Sequence, residues 1–439
     1  LWQRKLPEGF MIHRNTMIAT ADALYMADAE SCKVIDARTG AIRDSIVIPA
    51  GVADGPVWKW MAMENGVLYA LIGGTETSIQ TQPSNTQGMG HWPWGMWQGH
   101  DYKDPKTSFG FGRTFVAIDP GTGKIIWTHS TEDYLDSRAL CMKNGRIYCY
   151  SPETFLACLD TGKQEMAWKS SAPDLLKAIG KNARAQHYVT GYATTAYMKC
   201  NNDYILFAGP QRRDLVVASA KDGKLLWQKP GGNLQLVLRE DGCYAAGPRN
   251  AKGDAYAMGA KYAYASGEVL ATLPTRRACT RATGSVDSIF FRTPGGTVRV
   301  NTASNTAEHI APMRPPCQDG VIISDGHLYW GPWMCGCQLS LYGHITLAPA
   351  KDFNFHPTLV DSRLETGPGD IASVADFAIN PADWTTYQAN NQRMPQARVA
   401  IPRDVGMKWI VDSSTTLPTA PVIAGNTVFV ADRKGVVQA

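Results

Sequence analysis

The stretch VAIDPGTGKIIWTHS, from Val116 to Ser130, decides the fold. It holds a short apolar strand, an Asp followed by a glycine-rich turn, and a second strand that carries a tryptophan. The pair Thr122-Gly123 predicts a tight turn, because glycine accepts a positive φ at no steric cost. The residues on either side alternate between apolar and polar, so the stretch predicts a β-hairpin.

The same phrase recurs along the chain, and an internal repeat takes precedence in predicting a fold. Further copies begin at Val34, Leu156, Val216, Tyr262 and, in a degenerate form, Val298. Two short apolar strands precede each phrase, among them RIYCYS, YILFAG, SIFFR and HLYWGP. Each unit therefore has four strands at a spacing of about 40 to 60 residues, and tandem four-stranded units are the blades of a β-propeller.

The sequence thus predicts an all-β fold, an eight-bladed β-propeller of four-stranded antiparallel blades in a single domain over residues 1–439, with seven blades as the alternative count. The N-terminal LWQRKLP has the form of an outer strand, and the chain ends on two strands that lack one. We therefore expect the N-terminal strand to close the last blade. Two insertions, 75–112 and 350–403, are expected to be loops that cap one face. The stretch PDLLKAIGKNA from Pro173 predicts a helix.

The composition narrows the class of protein. The chain is 44% hydrophobic and 19% charged, which is typical of a globular protein with a core. A net charge of +4 without basic runs gives no indication of nucleic-acid binding. No apolar stretch approaches the roughly 20 residues of a membrane span. A first residue other than Met, ten cysteines and thirteen tryptophans favour an exported protein, periplasmic or secreted.

The predicted blades place polar side chains around one end of the central channel. In a propeller the residues just before each inner strand surround this mouth. The repeat register assigns to it His13, Arg14, Lys59, Arg138, His187, Tyr188, Tyr192, Arg281 and Asp319. The first insertion adds the rings of His91, Trp92, Trp94, Trp97 and His100, which suit sugars or flat cofactors. We expect a cationic mouth, because the planar fork of arginine matches a carboxylate or sulfate.

The Thr/Asp-Gly…Trp phrases resemble the pyrroloquinoline-quinone (PQQ) propeller repeat of the quinoprotein alcohol dehydrogenase-like superfamily, over nearly the whole chain. A narrower resemblance is to PQQ-like propellers of planctomycete-type bacteria. The resemblance implies a propeller fold. It leaves the function open, because the superfamily includes quinone dehydrogenases, an outer-membrane assembly scaffold and secreted propellers that bind no quinone.

Three functions are compatible with these residues. The leading one is a lyase-like enzyme that binds an acidic oligo- or polysaccharide and needs no cofactor. In it Arg138 and Arg281 neutralise the uronate carboxylate, while His187 and Tyr188 move protons. The remaining mouth and insertion residues then bind the substrate.

The second function is a PQQ-dependent dehydrogenase. The resemblance implies Ca²⁺ held by carboxylate and amide oxygens, an Asp base and often a disulfide between adjacent cysteines, whereas this chain has no Cys-Cys pair. The third is a non-catalytic binding or scaffold propeller.

Four cysteines fall in two adjacent predicted blades, namely Cys279, Cys317, Cys335 and Cys337. Their spacing matches no zinc knuckle, so a disulfide or plain buried thiols are favoured over a zinc site. The other six cysteines are predicted to be small core residues. Of these, Cys149 and Cys158 lie on neighbouring predicted strands and could form a bridge.

Overall fold

The structure is a computed structural model of the chain. It describes residues 2–3, 16–27, 30–75, 105–106, 110–180, 196–209, 212–247, 259–277, 280–315, 320–331, 343–349, 380–386, 389–390, 392, 396–397, 399–412, 418–432 and 434–439. The chain divides into two compact units, residues 1–350 and 351–439. The described part of the first unit forms seven antiparallel sheets, and that of the second forms one.

Each sheet is a meander in which strands pair in the order of the chain, as a propeller blade does. Blades 1 to 6 have four strands each, while blade 7 and the sheet of the second unit have three described strands each. The predicted all-β propeller is therefore confirmed. The strands of blades 1 to 3 are β1 (Met17–Ala19), β2 (Ala23–Ala27), β3 (Cys32–Asp36), β4 (Ile42–Ile46), β5 (Val57–Glu64), β6 (Val67–Gly73), β7 (Phe111–Ile118), β8 (Ile125–Asp136), β9 (Leu140–Lys143), β10 (Arg146–Ser151), β11 (Phe155–Asp160) and β12 (Glu165–Ser170).

Blades 4 to 7 continue the same pattern. Their strands are β13 (Met198–Cys200), β14 (Tyr204–Phe207), β15 (Asp214–Ser219), β16 (Leu225–Pro230), β17 (Gln235–Arg239), β18 (Gly242–Ala246), β19 (Ala260–Tyr262), β20 (Val269–Thr272), β21 (Thr283–Gly284), β22 (Ser288–Thr293), β23 (Gly296–Asn301), β24 (Ala307–Ala311), β25 (Ile322–Ser324), β26 (His327–Trp330) and β27 (Ile345–Leu347). The second unit has β28 (Val422–Ala424), β29 (Thr427–Ala431) and β30 (Val437–Gln438), and bridges at Trp384–Ile423 and Pro418–Asp432.

Helical structure is sparse in the described residues. The helix predicted from Pro173 is confirmed as α1 (Pro173–Ile179), which lies between blades 3 and 4 and begins with proline, a favoured first residue. A single 3-10 turn, Ser137–Ala139, precedes β9. No helix in the described part of the chain has the length and apolar character needed to cross a membrane.

The repeat phrase forms the outer hairpin of blades 1 to 6, and in blades 1 to 3 its Asp shapes the turn. Asp36 Oδ1 accepts the backbone N–H groups of Arg38 and Thr39 at 2.9 and 2.7 Å. The turn glycines have positive φ, +72° at Gly40 and +68° at Gly123, which explains the Thr-Gly signal. After the turn, the pairing of the third and fourth strands shifts register in blades 1 to 6.

Tryptophans of the phrase join one blade to the next. Trp168 of blade 3 donates its indole N–H to the Ala220 carbonyl in the turn of blade 4 at 3.1 Å. Its ring covers Gly223, where a Cβ would lie 2.6 Å from the indole. Trp227 of blade 4 does the same in blade 5, donating to the Tyr264 carbonyl at 2.7 Å. The tryptophan and the glycine of the phrase therefore form one contact between neighbouring blades.

Trp2 makes this contact at the N-terminus. Its indole N–H donates to the Ala37 carbonyl at 2.9 Å, and its ring covers Gly40 in the turn of blade 1. Trp2 therefore makes the same contact with blade 1 that Trp168 makes with blade 4. This agrees with an N-terminal segment that belongs to the outer edge of a preceding blade, while its pairing with the last blade stays a prediction.

The core of the first unit consists of apolar layers between successive blades. Each layer packs one blade against the next. The first lies between blades 1 and 2, and the last lies between blades 6 and 7. Between blades 3 and 4, the Tyr150 and Phe207 rings meet edge to face with centroids 5.5 Å apart. Both faces of a blade are therefore covered. In blade 2, for example, Val116 packs toward blade 1 and its neighbour Phe115 packs toward blade 3.

The described cysteines are thiols. Cys149 is opposite Ala157 in the ladder, and Cys158 is opposite Tyr148, so the two thiols point to opposite faces of blade 3. The predicted Cys149–Cys158 bridge is therefore wrong. The six described cysteines are Cys32, Cys141, Cys149, Cys158, Cys200 and Cys243, and all are free thiols. Most of them are buried core residues, as predicted. The four candidates for a disulfide, Cys279, Cys317, Cys335 and Cys337, lie outside the described residues.

Candidate functional site

One face of the first unit gathers the residues of interest. In an antiparallel meander, the start of the inner strand and the loop between the second and third strands lie at the same end of the blade. We call this end of blades 2 to 7 the mouth face. It comprises the residues just before β5, β9, β13, β17, β21 and β25 and the loops between the second and third strands of those blades.

A buried ion pair occupies the mouth face at blades 3 and 4. Arg138 donates Nε to Asp136 Oδ1 at 2.7 Å and Nη2 to Oδ2 at 2.5 Å, a bidentate fork. Tyr197, just before β13, donates its hydroxyl to Asp136 Oδ2 at 2.8 Å. All three side chains are buried. The sequence places Asp136 and Arg138 two residues apart around the 3-10 turn, so the pair forms locally.

Electrostatics fix the protonation states of this pair. Burial acts to raise the pKa of Asp136, but the charge and hydrogen bonds of Arg138 outweigh it and hold the pKa below its ordinary value. Burial and the neighbouring Asp136 raise the pKa of Tyr197 well above its ordinary value. At neutral pH the carboxylate is therefore ionised, and Tyr197 is a protonated donor.

A second guanidinium lies beside this pair. Arg212, in the loop between β14 and β15, stacks its Cζ 4.0 Å from the centroid of the Tyr197 ring. It is 5% exposed, and its Nη1 donates to the Ile179 carbonyl at the end of α1 at 3.4 Å. Its Nε and Nη2 are buried and have no hydrogen-bond partner. A buried donor without a partner costs about 1–3 kcal/mol, more when charged, so Arg212 is suited to an anion.

Arg276 shows how a structural arginine differs in the same fold. It is fully buried near the start of blade 6 and donates to three carbonyls, those of Ala246 at 3.1 Å, Thr280 at 3.0 Å and Asn233 at 3.4 Å. These bonds tie blade 5 to blade 6. Arg212 makes one long bond to a carbonyl, and its Nε and Nη2 have no hydrogen-bond partner.

The two other described mouth cations lie in other blades. Lys59 of blade 2 is buried and donates Nζ to the Gly74 carbonyl at 2.8 Å, at the start of the first insertion. Arg281 precedes β21 in blade 6 and is half-buried. Of the predicted mouth cations, only Arg138 therefore belongs, among the described contacts, to the cluster of Asp136, Tyr197 and Arg212.

Most of the predicted site lies outside the described residues. The structure places nothing there for the mouth and insertion positions His13, Arg14, His91, Trp92, Trp94, Trp97, His100, His187, Tyr188, Tyr192 and Asp319. The roles assigned to them stay predictions.

Residues of the inner strands of blades 3 to 7 line an open cavity of about 650 Å³. Lys199 lines it and donates Nζ to the Leu236 carbonyl at 2.6 Å, which joins β13 to β17. Burial, with a smaller contribution from the charge of Arg281, lowers the pKa of Lys199 to about 8. The wall is otherwise largely apolar, with Val321 and Ile323 from blade 7.

Sequence reasoning missed Tyr197, Arg212 and Lys199. Tyr197 directly precedes β13, so a more accurate register would have found it among the mouth residues. Arg212 lies in a loop between the second and third strands, and the repeat phrase contains no residue of that loop. Lys199 alternates with Met198 and Cys200 along a three-residue strand, too short for a periodic signal.

The family comparison covers part of the chain. Residues 112–276 match the PQQ-repeat family model described as "Outer membrane protein assembly factor BamB". No curated protein matches the chain.

Solved structures to which the chain is similar include the computationally designed Ika8 protein, at 12% identity and a TM-score of 0.39 over 74% of this chain and 94% of that one. They also include BamB from Moraxella catarrhalis, at 14% identity and a TM-score of 0.32 over 63% of this chain and 78% of that one.

The matched stretch holds the best-formed copies of the repeat. It spans the two outer strands of blade 2, the whole of blades 3, 4 and 5, and both contacts in which Trp168 and Trp227 cover a turn glycine of the next blade. Meander blades, Asp-capped turns and the family match over residues 112–276 support a PQQ-like β-propeller repeat protein.

Proposed function

We propose that the protein is an exported propeller that binds an acidic oligo- or polysaccharide at the mouth face, with a ligand carboxylate on Arg212. One observation carries the proposal: a guanidinium 5% exposed has two N–H groups without a partner. A carboxylate supplies two acceptor oxygens in the plane that the arginine fork requires. Arg138 and Arg212 also outnumber the one carboxylate of the cluster, Asp136, by one charge.

Lyase chemistry is the finer form of this proposal. Tyr197 is engaged with Asp136 and stays protonated, so it does not serve as the base that removes the C5 proton. That role falls to His187 or Tyr188, in the segment that follows α1 in sequence. Arg281 stays in the proposal as a second cation for the uronate.

Calorimetry with polyuronates and with neutral glycans of equal length tests the binding step. We expect binding of the polyuronate alone. Arg212→Ala should weaken it about 10- to 100-fold, the value of one charge-assisted hydrogen bond. Arg213→Ala, at the exposed neighbouring position, is the matched control and should bind as the native chain does. Equal binding of both glycan classes, or an unaffected Arg212→Ala variant, contradicts the proposal.

Turnover has a separate readout, the ultraviolet absorbance of the unsaturated uronate product. Binding without this signal would indicate a propeller that binds the glycan without cleaving it. A signal that the native chain gives and His187→Ala abolishes would support the lyase.

A scaffold function is the second candidate, because the family model that matches residues 112–276 is described as an outer membrane protein assembly factor. It predicts a stable complex with a protein partner that Arg212→Ala leaves intact.

The quinone alternative meets a specific difficulty. Calcium bound with PQQ requires carboxylate and amide oxygens. Asp136 is the one buried carboxylate among the described residues, and its two oxygens already accept bonds from Arg138 and Tyr197. The described residues therefore do not fit a calcium–quinone pair.

A further inference from the structure

Two thiols occupy equivalent positions on neighbouring inner strands. The Tyr197 N–H donates to the Arg138 carbonyl at 2.9 Å and sets the offset between the start of β13 and the start of β9. Cys200 follows Tyr197 by three residues, and Cys141 follows Arg138 by three. Cys141 is the second residue of β9 and Cys200 the third of β13, so the two cysteines lie on neighbouring inner strands at the same distance from this bond.

Both thiols face the cavity. Cys141 and Cys200 are among the residues that line its 650 Å³. Both also pack into the apolar layer between blades 3 and 4. Met198, two residues before Cys200 on β13, lines the same cavity and packs into the same layer, so its side chain is on the Cys200 face of the strand.

The side chains of this group determine which metal ion it could bind. The described residues hold no group of three or more His, Cys, Asp or Glu side chains that could bind a metal, so four-coordinate zinc has no set of ligands there. Two cysteines with a thioether are the soft ligands that Cu(I) prefers. Cys158 is excluded from the group, because it lies two strands from Cys141 with Tyr148 between them.

We propose that Cys141, Cys200 and Met198 form a binding site for a monovalent soft metal ion, Cu(I), in the wall of the central cavity. Binding replaces the two thiol protons with one Cu(I), so two protons go to solvent and no electron is transferred. The resulting bis-thiolate carries one negative charge. The site is separate from Arg212 and independent of its anionic ligand.

Competition with the Cu(I) complex of bicinchoninate, in the reduced full-length chain under anaerobic conditions, tests the proposal. We expect one Cu(I) per chain. Cys141→Ser and Cys200→Ser should each weaken binding by more than the roughly 10- to 100-fold cost of losing a residue that only orients a ligand. Met198→Leu, which conserves volume, should weaken it less. Cys158→Ser is the matched control, a thiol in the same layer, and should bind as the native chain does.

X-ray absorption of the copper-loaded native chain gives a test that needs no variant, and we expect sulfur scatterers alone. Nitrogen or oxygen scatterers, native affinity in Cys141→Ser or Cys200→Ser, or displacement of the copper by equimolar Zn²⁺ would each overturn the proposal. Thermal unfolding of each variant separates loss of a ligand from loss of the fold.

Discussion

At the scale of single residues, Asp136 balances the two buried guanidinium groups at blades 3 and 4. Arg138 forms a bidentate pair with it, and Tyr197 donates to it while stacking under Arg212. Removing its charge leaves Arg138 buried without a counter-ion. We expect Asp136→Asn to lower the free energy of unfolding by about 3–5 kcal/mol, as measured by urea denaturation. Glu132→Gln, at an exposed position of the same strand, should change it little.

The pH dependence of this loss follows from the direction of the Asp136 pKa shift. The pKa in the folded state lies below its ordinary value of 3.8, so the carboxylate stabilises the fold above pH 3.8. That contribution disappears as the pH falls through the folded-state value. The difference in stability between the native chain and Asp136→Asn should therefore shrink on acidification below pH 3.8. A difference that stays constant would show that the ion pair does not carry the effect.

Lys199 has the opposite dependence. Its pKa is lowered from 10.5 to about 8, so between these values the unfolded chain binds more protons than the folded chain. Its contribution to the free energy of unfolding therefore rises with pH from about 8 to 10.5. Lys199→Met should remove this rise. Urea denaturation of both chains at pH 8 and pH 10 measures it, and parallel curves would contradict a buried amine.

The sequence indicated which residue types surround the mouth, but not which contacts they make. Arg138 was assigned to the mouth from its position before an inner strand, and it lies just before β9. Asp136 pairs with it locally, two residues earlier, but the bond from Tyr197 depends on how two blades meet, which a repeat of one blade does not contain. Arg212 has no counterpart in the repeat phrase at all.

At the scale of elements, the outer hairpin was predictable because its signals are local. An Asp that accepts turn N–H groups and a glycine at positive φ are both adjacent in sequence. The packing of Trp168 over Gly223, by contrast, joins residues far apart in the chain. A repeated tryptophan and glycine were visible in the sequence, but their contact across blades required the structure.

Because of that contact, we expect the same substitution to cost more at Gly223 than at Gly66. Gly223 has φ +73°, and a Cβ there would lie 2.6 Å from the Trp168 ring, whereas Gly66 has φ +77° and open space around it. Both Gly→Ala variants incur the backbone penalty of positive φ, about 1–2 kcal/mol. We expect Gly223→Ala to cost about 1–3 kcal/mol more, from the clash with the indole. Equal midpoints in urea would show that the tryptophan yields without cost.

At the scale of the whole molecule, the fold class followed from the repeat, because each blade buries both faces against its neighbours and must recur. How the ring closes is a different matter, since closure depends on one pairing between the two ends of the chain. The sequence predicts that the N-terminal strand completes the last blade. Trp2 covers Gly40 of blade 1 as Trp168 covers Gly223 of blade 4, which agrees with this prediction.

Hydrogen exchange of the native chain and of Trp2→Ala tests this closure. If the N-terminal strand completes the last blade, releasing it should raise exchange in two separate places: the turn of blade 1 around Ala37, and the strands β28, β29 and β30. Trp227→Ala is the control, because its indole joins blades 4 and 5, so exchange should rise around Tyr264 alone. A Trp2→Ala response confined to blade 1 would mean that the N-terminal strand docks on blade 1 without pairing with the last blade. The ring must then close by another strand or stay open, since an unpaired edge is a liability that proteins cover.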